Sequence, residues 1–286
     1  DYMRVLVTGG MGFIGTANVQ ELKKSHSVTV YDIKAGDDIL NSAKLEQVFE
    51  EVKPDTVFHL AAKVSVVESL RVPSKYAATN ILGTIAVAEQ CNKWGSKLIY
   101  ASSGGTIYGG RKEPFKEDDA AHPQSPYGIS KYAGELFIQH SNKDHVILRY
   151  GNVYGPGQST EGEAMVVAIF MDRITHGERP VIRGNGLQTR DYVYISDVVD
   201  ANIMALDWSG TFNIGTGIAT SVLDVHKYIA DCMGYDGTYD SADSLGEIDH
   251  ISLSRKKAKA LGWEPKVPLE EGITRTAKWA QTNVHA

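Results

Sequence analysis

The chain is poor in cysteine, in net charge and in long apolar runs, and each shortage closes off a class of protein. Its two cysteines, Cys91 and Cys232, stand far apart in 286 residues. Neither a disulfide framework nor a cysteine-rich metal site is available, and a reducing, cytoplasmic setting is expected. Lys and Arg number 29 against 35 Asp and Glu, which leaves no basic footprint for nucleic acid. The basic run Arg255-Lys-Lys-Ala-Lys259 is read as a solvated helix face. No stretch of about 18 apolar residues exists, so no membrane-spanning helix is expected. The first apolar run, residues 5–7, is too short for a signal-peptide core and reads as a strand; Met3 is the expected natural start, with Asp1 and Tyr2 as additions. The nine histidines include no pair at ligand spacing within one helix, so no metal is expected, and His59 reads as a satisfied core residue. The composition is 42% apolar and 22% charged, that of a globular chain rather than a disordered one.

What is present is a rhythm. Residues 4–8, 27–32, 56–60, 97–102 and 146–150 are short β-branched runs that read as strands. Helical patterns lie between them at 14–24, 42–50, 73–93 and 126–141. This alternation implies βαβ units and a parallel sheet covered on both faces. After Tyr150 the rhythm changes: Gly and Pro cluster over 151–162, and helices are expected at 164–176, 222–233 and 254–261. The expected architecture is α/β, a Rossmann-type doubly wound parallel sheet over residues 1–150. Residues 151–286 form mainly a small substrate-binding lobe, with segments returning to the sheet.

The glycine-rich stretch Thr8-Gly-Gly-Met-Gly-Phe-Ile-Gly15 follows the first strand and opens the first helix. Gly9 suits a tight turn, Gly12 lets a pyrophosphate approach the backbone, and Gly15 allows close helix–strand packing. The helix N-terminus adds free N–H groups and the positive end of its dipole. Asp32, at the end of the second strand, is placed for a ribose 2′-hydroxyl and would repel a 2′-phosphate, which favours NAD over NADP. Tyr127 and Lys131 sit one turn apart on one helix face. An ammonium there stabilises a phenolate and lowers a tyrosine pKa, giving an acid/base for alcohol–ketone chemistry.

These elements, with His59-Leu-Ala-Ala62, Asn80-Ile-Leu-Gly-Thr84, Ser102-Ser-Gly-Gly-Thr-Ile-Tyr-Gly109, Leu148-Arg-Tyr-Gly-Asn-Val-Tyr-Gly-Pro156, Thr189-Arg-Asp-Tyr-Val-Tyr194 and Leu261-Gly-Trp-Glu-Pro265, run in order over nearly the whole chain. In them the chain resembles the extended short-chain dehydrogenase/reductases, specifically the NAD-dependent epimerase/dehydratase family, with the UDP-glucose 4-epimerase branch the most similar. The resemblance implies an NAD-dependent nucleotide-sugar epimerase that oxidises C4 transiently and returns hydride to the opposite face. It makes Tyr127 the base and gives Lys131 the nicotinamide ribose. It places Phe13 and Ile14 in the pyrophosphate loop and Asp38 and Ile39 beside the adenine. Leu60, Ala61, Ala62, Asn80 and Ser102 fall along the cofactor, and Asn152, Arg183 and Arg190 on the nucleotide-sugar side. For Asn80 the alternative is bonding to neighbouring backbone; for Arg190 it is an ion pair with Asp191 or Asp197. A homodimer through helices 73–93 and 126–141 is also implied.

The chain departs from the family pattern in three places. Gly104 stands where many relatives carry a hydroxyl, which must then come from Thr106, the favoured source, or from Ser103. Arg183 replaces a phenylalanine against the base. Ser244-Leu-Gly-Glu247 replaces a stretch with a second diphosphate-binding arginine. Gly105 and Thr106 offer no carboxyl group, unlike the corresponding residues of sugar dehydratases and decarboxylases. Two other readings stay open: a 4-keto-sugar reductase or dehydrogenase, and a non-catalytic NAD-binding sensor or scaffold.

Overall fold

A computed structural model describes residues 2–160, 165–244 and 248–283. Five β-branched segments form strands: β1 (Arg4–Thr8), β2 (Ser27–Tyr31), β3 (Thr56–His59), β4 (Lys97–Ser103) and β5 (His145–Tyr150). A sixth, Gly210–Ile214, returns from the second half of the chain and pairs with β5. The order is 210–214, β5, β4, β3, β1, β2, and every pairing is parallel. The order reverses between β1 and β3, where an open α/β sheet forms a crevice at its carboxyl end.

Burial on both faces explains the strand sequences. Val5, Val7, Phe58, Ile99, Val146 and Leu148 point to one face, where Trp208, Phe212 and Trp263 complete a core. Leu6, Val57, Leu98, Tyr100 and Ile147 point to the other, against Leu45, Phe49, Val87 and Ile138 from the helices. A third core, around Phe170, Tyr192, Val225 and Ile273, lies outside the sheet.

Helix α1 (Phe13–Leu22) and helix α2 (Ser42–Val52) follow β1 and β2. The expected 126–141 helix is Pro126–Ser141: Ser125 caps it, its hydroxyl accepting from Gly128 N, and Pro126 occupies the first turn. The continuous helix expected at 73–93 is instead a short turn, Pro73–Tyr76, a π-helical stretch, Ala77–Leu82, and a regular helix, Gly83–Trp94. The wide turn presents Asn80 sideways, and such π turns recur at functional positions. In the second half the helices are Val166–Thr175, Ile195–Met204, Val222–Met233, Lys256–Ala260 and Leu269–Thr282. Residue 164 of the expected 164–176 helix, and residues 161–162 of the Gly/Pro stretch, lie outside the described residues. No helix among the described residues is long and apolar enough to cross a membrane.

Candidate active site

The glycine loop has the shape its sequence implies. Gly9 has a φ of +69°, and a Cβ there would come within 2.6 Å of the Ala61 backbone nitrogen, so only glycine lets β1 and β3 end this close together. A Cβ at Gly15 would overlap the Gly9 carbonyl oxygen, so helix and turn pack backbone to backbone. Gly12 differs: a Cβ would meet only that same oxygen, at 3.3 Å, and otherwise open space. It caps α1 with no side-chain hydrogen bond, so the first-turn N–H groups, those of Phe13, Ile14 and Gly15, have no capping side chain. The fit to a dinucleotide pyrophosphate rests on this cradle, which a side chain at residue 12 would fill.

Asp32 is buried at the end of β2. Its carboxylate accepts from Met11 N and Lys34 N, both at 2.8 Å. It thereby braces the glycine loop and keeps lone pairs for a ribose hydroxyl. Asp38 lies nearby, its carbonyl accepting from Tyr31 Oη at 2.9 Å. Leu60, Ala61 and Ala62 follow β3 as partly buried residues. Ile39, expected beside the adenine, turns its side chain into the sheet core. There it packs so closely on Gly83 that a Cβ on the glycine would lie 2.5 Å from its Cδ1.

Two further residues expected along the cofactor are held by hydrogen bonds within the protein. Asn80 is clamped to Lys63, accepting from its N at 2.8 Å and donating to its O at 2.9 Å, and it also donates to Ser130 Oγ at 2.9 Å. It thus ties the chain after β3 to the Tyr127 helix, the backbone-bonding alternative. Ser102, expected to meet the cofactor, donates its hydroxyl to the Glu135 carboxylate. His59 is the satisfied core residue expected. Thr8 Oγ1 lies 2.7 Å from its Nδ1 and Thr84 Oγ1 2.9 Å from its Nε2. Burial drops its pKa to about 3, aided by the Lys131 charge.

Tyr127 and Lys131 open the Pro126–Ser141 helix and are enclosed by the ends of β4 and the π turn. Tyr76 meets the Tyr127 ring edge-on at 6.3 Å between centroids. The Ser103 side chain lies near enough to the Tyr127 phenol to pull its pKa down. Lys131 Nζ lies 4.4 Å from the centre of the Tyr100 ring. Thr106, the favoured hydroxyl, is buried without a hydrogen-bond partner among the described residues. Gly104 explains the exchange. A Cβ there would lie 2.5 Å from Leu253 Cδ1, so a side chain at 104 would have to displace that leucine, and the hydroxyl is left to the residues on either side of the Gly104–Gly105 pair.

Electrostatics correct one more expectation. The sequence predicts that Lys131 lowers the Tyr127 pKa. In the protein alone burial prevails: Tyr127 is pushed up to about 12, against the pull of the Ser103 side chain. Burial likewise brings Lys131 down to about 7, opposed by the negative charge of Glu135. The desolvated, half-buried phenol holds its proton and the buried amine loses its own unless further charge enters the site.

The substrate-side residues occupy separate strands beyond the sheet. Asn152 lies on Asn152–Tyr154, which pairs in parallel with Tyr192–Tyr194, and a Cβ on Gly105 would lie 3.4 Å from Asn152 Oδ1. Asn152 therefore faces the end of β4, one residue beyond the Ser103–Gly104 step. Arg190 donates through Nη1 to Thr189 O at 2.8 Å and Ile248 O at 2.7 Å. Its two candidate acids are committed elsewhere. Asp191 accepts from Thr216, Gly217 and Leu253 N–H groups, and Asp197 from those of Lys266 and Val267. Arg183 is exposed at the end of Val181–Arg183, beside Ser244: a Cβ on Gly184 would meet the Ser244 Cβ at 3.5 Å. The rest of the altered stretch, 245–247, lies outside the described residues.

Sequence reasoning missed Glu135 and Arg149. Glu135 is fully buried, and Arg149 donates to its carboxylate through Nε at 3.0 Å and Nη2 at 2.6 Å. Arg149 continues to Tyr108 Oη at 2.7 Å, which donates to Asn213 Oδ1 at 2.7 Å. The signal was available: Glu135 continues the four-residue spacing of Tyr127 and Lys131, and Arg149 sits in a strand otherwise apolar or aromatic at its centre.

A family model for the NAD dependent epimerase/dehydratase family matches residues 5–215. The UDP-glucose 4-epimerase of Mycolicibacterium smegmatis is 38% identical, over 97% of this chain and 98% of that protein. Among solved structures, a UDP-glucose 4-epimerase from Thermotoga maritima with UDP-glucose superposes with a TM-score of 0.93 at 39% identity, covering 98% of this chain and 99% of the other. A Thermus thermophilus UDP-glucose 4-epimerase in complex with NAD gives a TM-score of 0.92 at 36% identity, again over 98% and 99%. The chain belongs to the NAD dependent epimerase/dehydratase family.

Proposed function

We propose that this family member is an NAD-dependent nucleotide-sugar 4-epimerase acting on UDP-glucose and UDP-galactose. The observation that carries the reading is the half-buried Tyr127, beside Ser103 and one turn from the buried Lys131, at the sheet end that also holds the glycine cradle. Relatives named for this activity match over almost the full length of both chains, which supports the substrate class.

The residues suit the cofactor and the chemistry. Gly9, Gly12 and Gly15, with the first-turn N–H groups of α1, would hold the pyrophosphate, and Asp32 the adenosine ribose. When bound, NAD supplies a two-electron acceptor and donor together with a positively charged ring. Tyr127 Oη takes the proton of the sugar 4-hydroxyl and gives it back after the sugar has turned. Lys131, as the ammonium, stabilises the phenolate in between, and the Ser103 hydroxyl holds the phenol in line. Arg190 meets the diphosphate, for which a planar fork is suited, and Asn152 orients the sugar beside Gly105. The absence of carboxyl groups at 105 and 106 favours epimerisation over water elimination.

The active form is a homodimer. Leu82, Ile129, Leu136 and Phe137 are each 46–61% exposed, on the π stretch and the Tyr127 helix, an apolar face in need of cover. A single 31 kDa species by sedimentation contradicts this. Cys91 and Cys232 are both free, which supports a cytoplasmic setting. Conversion of UDP-glucose to UDP-galactose, followed by NMR, tests the assignment.

A further inference from the structure

Glu135 is a carboxylate with no access to solvent in the middle of a fold, and the reaction described above does not use it. A buried charge of this kind costs several kcal/mol unless it is paired and hydrogen-bonded. Here it is both: Arg149 spans its two oxygens, at 3.0 and 3.1 Å from Nε and 2.6 Å from Nη2, and the Ser102 hydroxyl closes on Oε1. Arg149 is held in turn by Tyr108 Oη and the Glu117 carbonyl, at 2.7 and 3.1 Å. The carboxylate cannot swing away. Two features connect it to the chemistry. Glu135 is one helical turn beyond Lys131, and Lys131 is one turn beyond Tyr127, so the three share a face. Ser102 is the residue before Ser103, whose side chain influences the Tyr127 phenol.

We propose that Glu135 is a positioning residue for the Tyr127/Lys131 pair, a fixed negative charge that holds Lys131 as an ammonium and, through Ser102, sets the end of β4 where Ser103 meets the phenol. This rests on the epimerase reading only for the purpose that the ammonium serves. Among the described residues, Glu135 is the carboxylate whose charge acts on Lys131; Glu68 is engaged by the Tyr76 hydroxyl at 2.8 Å. The helix that carries Lys131 contributes Tyr127 and Glu135. From β4 come Tyr100, under Nζ at 4.4 Å, and the serine hydroxyls. From β3 comes His59, which burial keeps neutral above about pH 3; from β5 comes Arg149, a cation already committed to Glu135. The influence of Glu135 on Lys131 opposes burial, which otherwise strips the amine of its proton.

The test reads the Lys131 titration directly. Protein labelled with ε-13C lysine is followed by NMR from pH 5 to 11, with the Lys131 signal assigned by its loss in Lys131→Met. Glu135→Gln is expected to lower the Lys131 midpoint by about one pH unit or more. The double variant Glu135→Gln, Arg149→Gln leaves no buried charge unpaired and is expected to lower the midpoint in the same direction, which covers the case in which the single variant does not fold. In turnover, the alkaline limb of kcat moves down with the midpoint, while KM for the sugar nucleotide changes little. A folded variant of either kind whose Lys131 midpoint matches the parent overturns the proposal, because loss of packing alone lowers stability and leaves the titration in place. The NMR titration needs no turnover. A parent inactive on UDP-glucose but with the expected midpoint shift sinks the epimerase reading and leaves the role of Glu135 standing.

Discussion

Tyr127, Ser103 and Thr106 divide the site at the scale of single atoms. Ser103→Ala removes the hydroxyl beside the phenol and is expected to lower kcat about 10- to 100-fold with little change in stability. Thr106→Val replaces a buried hydroxyl that has no hydrogen-bond partner among the described residues by a methyl of the same shape, so its stability is expected to hold or rise by up to ~1 kcal/mol and its kcat to stay within about threefold. Steady-state kinetics and melting of the two variants check this, and a reversed order of effects restores Thr106 as the working hydroxyl. Lys131 makes a second prediction. Its folded pKa, about 7, lies below the unfolded value of 10.5. Between these two the unfolded chain binds more protons, so this group's contribution to stability rises with pH across that window, and below pH 7 the full penalty of a buried ammonium applies. Lys131→Met is therefore expected to be more stable than the parent by roughly 2–5 kcal/mol at pH 6, with the gain fading toward pH 10.5. Urea unfolding at both ends of that range measures it. The sequence names Tyr127 and Lys131 through their spacing, and both carry through to the fold. Which serine or threonine meets the phenol was not legible, because it turns on the direction of a Gly104 Cβ against Leu253, a residue 149 positions away.

Elements show the same division between local and distant causes. The Pro126–Ser141 and Val222–Met233 helices appear at the residues expected, since each begins with a capping serine and periodic apolar positions. The 73–93 segment reads as one helix because nothing in its local sequence forbids it; the π turn arises from Asn80 reaching across to Lys63 and Ser130. The terminal helix, Leu269–Thr282, was legible and passed over: Pro268 precedes it, and Glu270 and Glu271 fill its first turn. At the start of α1, two glycines that look alike in the sequence separate in the fold. Gly12→Ala adds a methyl that meets only the Gly9 carbonyl oxygen, at 3.3 Å, and is expected to cost about 1 kcal/mol or less, yet to weaken NAD binding at least about tenfold, because the methyl enters the pyrophosphate cradle. Gly15→Ala forces a methyl onto the Gly9 carbonyl and is expected to cost roughly 3 kcal/mol or more, lost in folding before any question of binding. Calorimetric titration with NAD beside thermal melting separates the two. Equal stability losses would show that residue 12 is a packing position only.

On the scale of the whole molecule, the sheet is what gathers the site. The βαβ rhythm announces five strands; the sixth, Gly210–Ile214, opens on Gly210 and Thr211 and carries Asn213, so it does not stand out until it pairs with β5. Its return leaves the small strands that carry Asn152, Arg183 and Arg190 outside the sheet, where they follow the carboxyl end of β5 and form the proposed substrate side. Cofactor cradle, enclosed Tyr127 and substrate strands thus come from widely separated stretches of chain, and the central claim is that together they invert one carbon of a nucleotide sugar. The most direct measurement is 1H NMR of UDP-glucose incubated with the purified protein, beside Tyr127→Phe. The account predicts that UDP-galactose appears until both C4 epimers coexist at equilibrium, with no net NADH formed or consumed, and that Tyr127→Phe slows this at least about 100-fold while folding normally. UDP-glucose left unchanged by a folded, NAD-bound parent protein, or conversion at the parental rate by Tyr127→Phe, contradicts it.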